Sequence, residues 1–118
     1  MGDYSPKFKP GQDITLTASG PIAGGQLVAV SGPNTVAPTG GSVPNWLGVA
    51  RQDAAVGDRV VVVRGGVQKL AASGAVTAGD RVIPATAGKV TTSAAANTVG
   101  TALTTAVDGA LVLVAMDR

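Results

Sequence analysis

Few residues in this 118-residue chain could do chemistry. Its seven acidic side chains are all Asp, and it has no His and no Cys. Without His, the usual general base near neutral pH and the commonest metal ligand are missing. Without Cys there is no thiolate nucleophile, disulfide framework, zinc–thiolate site or iron–sulfur cluster. Asp53, Asp58, Asp80 and Asp108 lack calcium-loop spacing. An activated Ser would need Lys as its base, and Lys69 and Lys89 have no matching Ser motif. The Gly24-Gly25, Gly40-Gly41 and Gly65-Gly66 pairs lack the Lys-Ser/Thr context of a phosphate loop and read as turns. The two Gly-Asp-Arg-Val stretches, at 57–60 and 79–82, read as a turn Asp followed by a solvated or cross-strand Arg at a strand entrance. No catalytic residue, cofactor or metal site is expected, and an Asp-based hydrolase is the residual enzyme reading.

The elements that carry these residues are expected to be strands. Seventeen Gly and seven Pro argue against long helices, and short β-branched runs bounded by Gly, Pro, Asn and Asp argue for strands and tight turns. Strands are predicted over Ile14–Ala18, Leu27–Ser31, Thr35–Ala37, Leu47–Arg51, Arg59–Arg64, Val67–Ala71, Arg81–Ala85, Lys89–Thr92, Val99–Leu103 and Ala110–Met116. Two hairpins are expected, one turning at Gly65-Gly66 and one around Ala87-Gly88, because hairpin turns need φ > 0. Ala54-Ala55 and Ser93–Ala96 are candidate helical turns. The fold class is therefore all-β, a compact barrel or sandwich of short strands. Phe8, Tyr4 and Trp46 are the only aromatics, so the core must be mostly Val, Ala, Leu and Ile. Such small side chains remove little surface from water, which makes oligomerisation an expected source of stability.

The chain also contains a weak internal repeat. Residues 47–63 resemble 99–115 at an offset of 52 residues, with Gly48/Gly100, Ala50/Ala102, Ala54/Ala106, Gly57/Gly109, Val60/Val112 and Val62/Val114 identical. Upstream, Gly25-Gln26-Leu27-Val28 parallels Gly79-Asp80-Arg81-Val82. Residues 21–63 and 75–115 thus read as related halves of one closed β unit, within a single domain over 14–118.

Residues 1–13 read as an extended arm, since Pro6 and Pro10 cannot donate to a ladder. The arm is either a disordered leader or a docking segment anchored by Tyr4 and Phe8. Net charge is only +2, and the Lys and Arg residues do not cluster as a nucleic-acid footprint would require. No apolar run is long enough to span a membrane as a helix, and no secretory h-region is visible. Residues 14–50 and 90–107 carry no charge at all, while 51–89 hold nine of the charged side chains. Uncharged tracts rich in Gly, Thr, Ser and Pro are either faces covered by other protein or polar loops solvated through hydroxyls and backbone. Trp46, after Pro44-Asn45, reads as a core or oligomer-interface plug, with ligand stacking as the third possibility.

The order of features resembles a known family. An arm precedes Pro10-Gly11-Gln12-Asp13-Ile14-Thr15-Leu16-Thr17-Ala18. Then come Ile22–Val28, Leu47–Asp58, Val76–Val82 and Ala85–Thr92, and a final apolar strand. Over roughly residues 8–115 this is similar to the tailed-phage capsid cement, or decoration, proteins; Asn34–Asn45 is less typical. The resemblance implies a structural virion protein. It would bind the major capsid protein on the outer face of the phage head as a homotrimer at three-fold or quasi-three-fold sites, and stabilise the mature shell. It also implies synthesis in the host bacterial cytoplasm, with no nucleic acid, membrane, cofactor or small-molecule substrate. Within that reading Tyr4, Lys7, Phe8, Lys9, Ile14 and Leu16 are the capsid-contact candidates and Trp46 the oligomer-interface candidate. The alternative is a carbohydrate- or receptor-binding β module of a virion, for which Trp46 beside Asn45 is the only hint.

Overall fold

The computed structural model describes residues 13–92 and 97–118. Ten strands make it up: β1 (Ile14–Ala18), β2 (Leu27–Gly32), β3 (Thr35–Pro38), β4 (Trp46–Ala50), β5 (Arg59–Val63), β6 (Val67–Ala71), β7 (Arg81–Pro84), β8 (Val90–Thr92), β9 (Gly100–Ala102) and β10 (Leu111–Met116). The all-β expectation holds, and the predicted strand ends lie within a residue of the observed ones. Ala54-Ala55 is not a helical turn, because Ala54 spends both backbone groups on Ile22, at 2.9 Å each. Ser93–Ala96 lies outside the described residues.

The strands fall into two units of the same design. The first is a closed barrel in the order β1-β3-β2-β4-β5; the second is a sheet in the order β6-β10-β9-β7-β8. β1 pairs antiparallel with β5 and parallel with β3. Correspondingly, β6 pairs antiparallel with β10 and meets β8 through a parallel bridge, Ala72–Val90. Even the loops repeat: Gly57 N donates to Ala18 O and Gly109 N to Ala72 O, both at 2.8 Å. The Ile22–Ala54 bridge recurs as Val76–Ala106. The repeat read from the sequence is therefore real, and it extends over residues 14–63 and 67–116.

Burial alternates along the strands that have one face in the core, as in β5 and β10. Each half has its own buried cluster. The first contains Ala18, Ile22, Val28, Val36, Ala50, Ala54, Val60 and Val62. The second is built from Leu70, Val76, Val82, Val90, Val99, Val112 and Val114, and Leu27, Trp46 and Val49 of the first half reach into it. The core is aliphatic, as the composition required, apart from Trp46.

One expected hairpin is not there. β5 and β6 do not pair across Gly65-Gly66, because both edges of β5 are already taken by β1 and β4, and β6 is claimed by β10. The Gly pair, with φ of 71° and 66°, is instead the crossover between the halves. Gly66 O accepts from Met116 N at 2.9 Å, and Gly65 N donates to Arg118 O at 3.1 Å. The other expected hairpin, β7–β8, is present. Ala87 and Gly88 at its tip have φ of 62° and 69°.

That tip joins the two halves. Leu27 N donates to Gly88 O at 2.9 Å, Thr39 N to Leu27 O at 3.0 Å and Gly88 N to Thr39 O at 3.2 Å. The Thr39 hydroxyl, in the only buried polar residue among those described, donates to Ala85 O at 2.7 Å. The Gln26 amide donates to Ala87 O at 3.1 Å. Part of the uncharged 14–50 tract therefore does face protein, namely the other half of the same chain.

Candidate functional site

Four of the carboxylates are committed to backbone geometry. Asp58 accepts from Ala55 N at 3.1 Å and Asp80 from Thr77 N at 3.0 Å, each closing the turn before its strand. Asp53 accepts from Gly24 N at 2.7 Å and Asp108 from Gly74 N at 2.8 Å, pinning neighbouring loops. Asp117 receives both arms of the Arg81 guanidinium, at 2.6 and 3.2 Å. The turn reading of the two Gly-Asp-Arg-Val stretches thus holds. An open depression of about 650 Å³ is lined by Pro21, Ile22, Ala23, Gln26, Asp53, Ala54, Ala55 and Asp58, and its two carboxylates are those already bonded to loop amides. Among the described residues, no three carboxylates lie close enough to hold a metal ion.

The candidate contact residues divide. Tyr4, Lys7, Phe8 and Lys9 lie outside the described residues. Ile14 and Leu16 stand opposite Val62 and Val60, both fully buried. Residues directly opposite in an antiparallel pair share a face, so these two side chains point into the barrel, and Leu16 packs on its core. The outward positions of β1 are Thr15 and Thr17. Trp46 is 2% exposed within the single chain, with the Arg118 guanidinium 4.1 Å from its ring centroid. Its ring therefore offers almost no surface to a sister copy or to a sugar. Asn45 is occupied too, donating to Val30 O at 2.6 Å. These placements remove the hint that favoured a carbohydrate module.

The repeat exposes a surface that reading single motifs missed. Arg51 N bonds Val61 O, and Leu103 N bonds Leu113 O, so Arg51 and Leu103 hold equivalent positions. Arg59 is opposite Thr17 and Leu111 is opposite Ala71, again equivalent places. Asp13 precedes Ile14 where Val67 begins β6. Thus Asp13, Arg51 and Arg59 of the first half are replaced by Val67, Leu103 and Leu111 in the second. The replacements are 54%, 49% and 64% exposed. Where the barrel carries three charges, the equivalent places of the second half carry three exposed aliphatic side chains. The sequence signal was available at the 52-residue offset, as charge exchanged for Leu while the flanking Gly and Val stayed the same.

Comparison with known proteins agrees with this architecture. The family model described as phage cement protein matches residues 8–116. The chain belongs to the phage cement protein family. Its role is that of a capsid-associated structural protein, and its place is the phage head. Among solved structures, the head fiber gp8.5 N base of bacteriophage phi29 is similar at a TM-score of 0.71 and 20% identity, covering 90% of this chain and 93% of that one. At that identity the likeness is one of fold. No curated protein matches the chain.

Proposed function

We propose that this cement protein decorates the outer surface of the phage head as a homotrimer at three-fold or quasi-three-fold sites, binding the major capsid protein and locking neighbouring subunits of the mature shell. The single observation that carries the reading is the family match over residues 8–116. The fold supports it, because a chain of similar fold serves as a head fiber base on phi29. The exposed Val67, Leu103 and Leu111 support association further, since aliphatic side chains left in water favour burial. The arm contributes Tyr4, Lys7, Phe8 and Lys9 to the shell contact, and three arms on one trimer multiply modest single contacts. Ile14 and Leu16 act from inside, anchoring the root of the arm in the barrel. Synthesis takes place in the host bacterial cytoplasm, and no enzymatic step is involved.

Two measurements test this. Sedimentation equilibrium should give three times the chain mass of 11.5 kDa. Co-sedimentation with purified, undecorated heads should then saturate, and the Tyr4→Ala/Phe8→Ala variant should bind at least tenfold more weakly while keeping its mass. A monomer that leaves such heads bare would defeat the proposal.

A further inference from the structure

The two halves differ at one seam. In the first half, β1 and β3 close the barrel through the Thr17–Thr35 and Ala18–Val36 pairs, and Thr17 N donates to Asn34 O at 3.1 Å. In the second half the same places belong to Ala71, Lys89 and Gly88. There Gly88 O accepts from Leu27 N of the other half instead. The β7–β8 tip has been drawn across to the junction, and only the Ala72–Val90 bridge still joins β6 to β8.

An open strand edge results. Gly66 and Ala72 exchange bonds with the β10 side, at Met116 and Ala110. By the alternation of an antiparallel ladder, the backbone groups of Val67 and Lys69 and the amide of Ala71 therefore point away from β10, and these have no strand partner among the described residues, while the Ala71 carbonyl lies at the Ala72–Val90 bridge to β8. The edge faces a groove of about 370 Å³ whose lining includes Lys69, Ala71 and Leu111 on one side and Gln26, Gly88 and Lys89 on the other. The groove has an apolar wall, two lysines and no carboxylate.

We infer that this seam is a strand-accepting groove for an extended, acidic segment of the shell protein, an inference that rests on the head-binding reading above. An unpaired edge takes an extended segment through main-chain hydrogen bonds, and pockets for alternate side chains set its register. Lys69, in the middle of the edge, and Lys89, across the gap, select a segment that places carboxylates between them. The chain's own first twelve residues do not have that chemistry, because Lys7 and Lys9 outweigh Asp3. In the closed first barrel Thr17 spends its backbone on Asn34, so the same segment has no place there.

Hydrogen–deuterium exchange on the full chain, free and bound to undecorated heads, reads this directly. On heads, peptides spanning Val67–Ala71 should exchange at least tenfold more slowly, while those spanning β1 change little. Lys69→Glu combined with Lys89→Glu should weaken head binding at least tenfold with the oligomeric mass unchanged. Fully occupied heads on which Val67–Ala71 exchange as in the free chain would overturn the inference and leave head binding intact. Slow exchange already present in the free chain would overturn it too. It would assign the seam to the chain's own amino-terminal residues if independent of concentration, or to a sister copy if it grew with concentration. Failure to bind heads at all would remove the underlying reading and this one with it.

Discussion

The guanidinium of Arg118 lies 4.1 Å from the centroid of the Trp46 ring, so the tail after β10 covers the largest side chain of the core. Arg118 also donates to Pro44 O at 3.1 Å. Trp46 enters β4 of the first half yet packs in the cluster of the second. The lid on that plug is therefore supplied by the half in which it is buried.

Arg118→Ala should uncover the indole. A cation over an aromatic face contributes about 0.5–1 kcal/mol at an exposed site, so urea unfolding should shift by about that much. Trp46 is the only tryptophan, which makes fluorescence specific: acrylamide should quench the variant more strongly than the parent. Unchanged quenching would mean the lid is not needed to exclude solvent.

Gly48 and Gly100 hold the same place in the two halves, and a Cβ at either would overlap the carbonyl oxygen of the next strand, that of Val63 or Ala115. Backbone cannot move aside as a flexible side chain can. Gly48→Ala and Gly100→Ala should each destabilise the fold by about 1–3 kcal/mol or more, read as a lower urea midpoint. An alanine tolerated at either site would contradict the close approach of those strands.

The Thr39–Ala85 bond is the buried polar link between the halves. Thr39→Val keeps the shape and removes the donor, leaving Ala85 O without that partner. The expected loss is about 1–2 kcal/mol, with faster amide exchange at the β7–β8 tip. A loss of stability without any change at the tip would place the effect elsewhere.

Two ion pairs should behave differently. Arg81 grips Asp117 with two bonds and also donates to Thr98 and Thr101. Arg51 and Asp13 are 3.9 Å apart, with side chains 68% and 42% exposed. Double-mutant cycles should give about 0.5–1 kcal/mol for Arg81–Asp117, falling with added salt, and nothing measurable for Arg51–Asp13. Equal coupling in both would show that geometry is not what separates them.

Much of the architecture was legible because strand signals are local. Short β-branched runs bounded by Gly, Pro, Asn and Asp located the strands, and the Gly48/Gly100 pair marked the repeat that the topology repeats. What a run of residues does not carry is which edge pairs with which. Gly65-Gly66 has the local chemistry of a hairpin turn, but competition from β1, β4 and β10 makes it a crossover. Trp46 shows the same limit, since its burial depends on a second half that begins some twenty residues later. The outward loss of charge at Leu103 and Leu111 needed both the repeat and the register to be seen.

The Gly65-Gly66 crossover has one more consequence. The buried cluster of the second half takes in Leu27, Trp46 and Val49 of the first, so the open sheet behaves as an obligate subunit of the barrel. Joining them by so short a tether makes their pairing unimolecular, with a local concentration set by the linker and not by the solution. Dilution cannot part them.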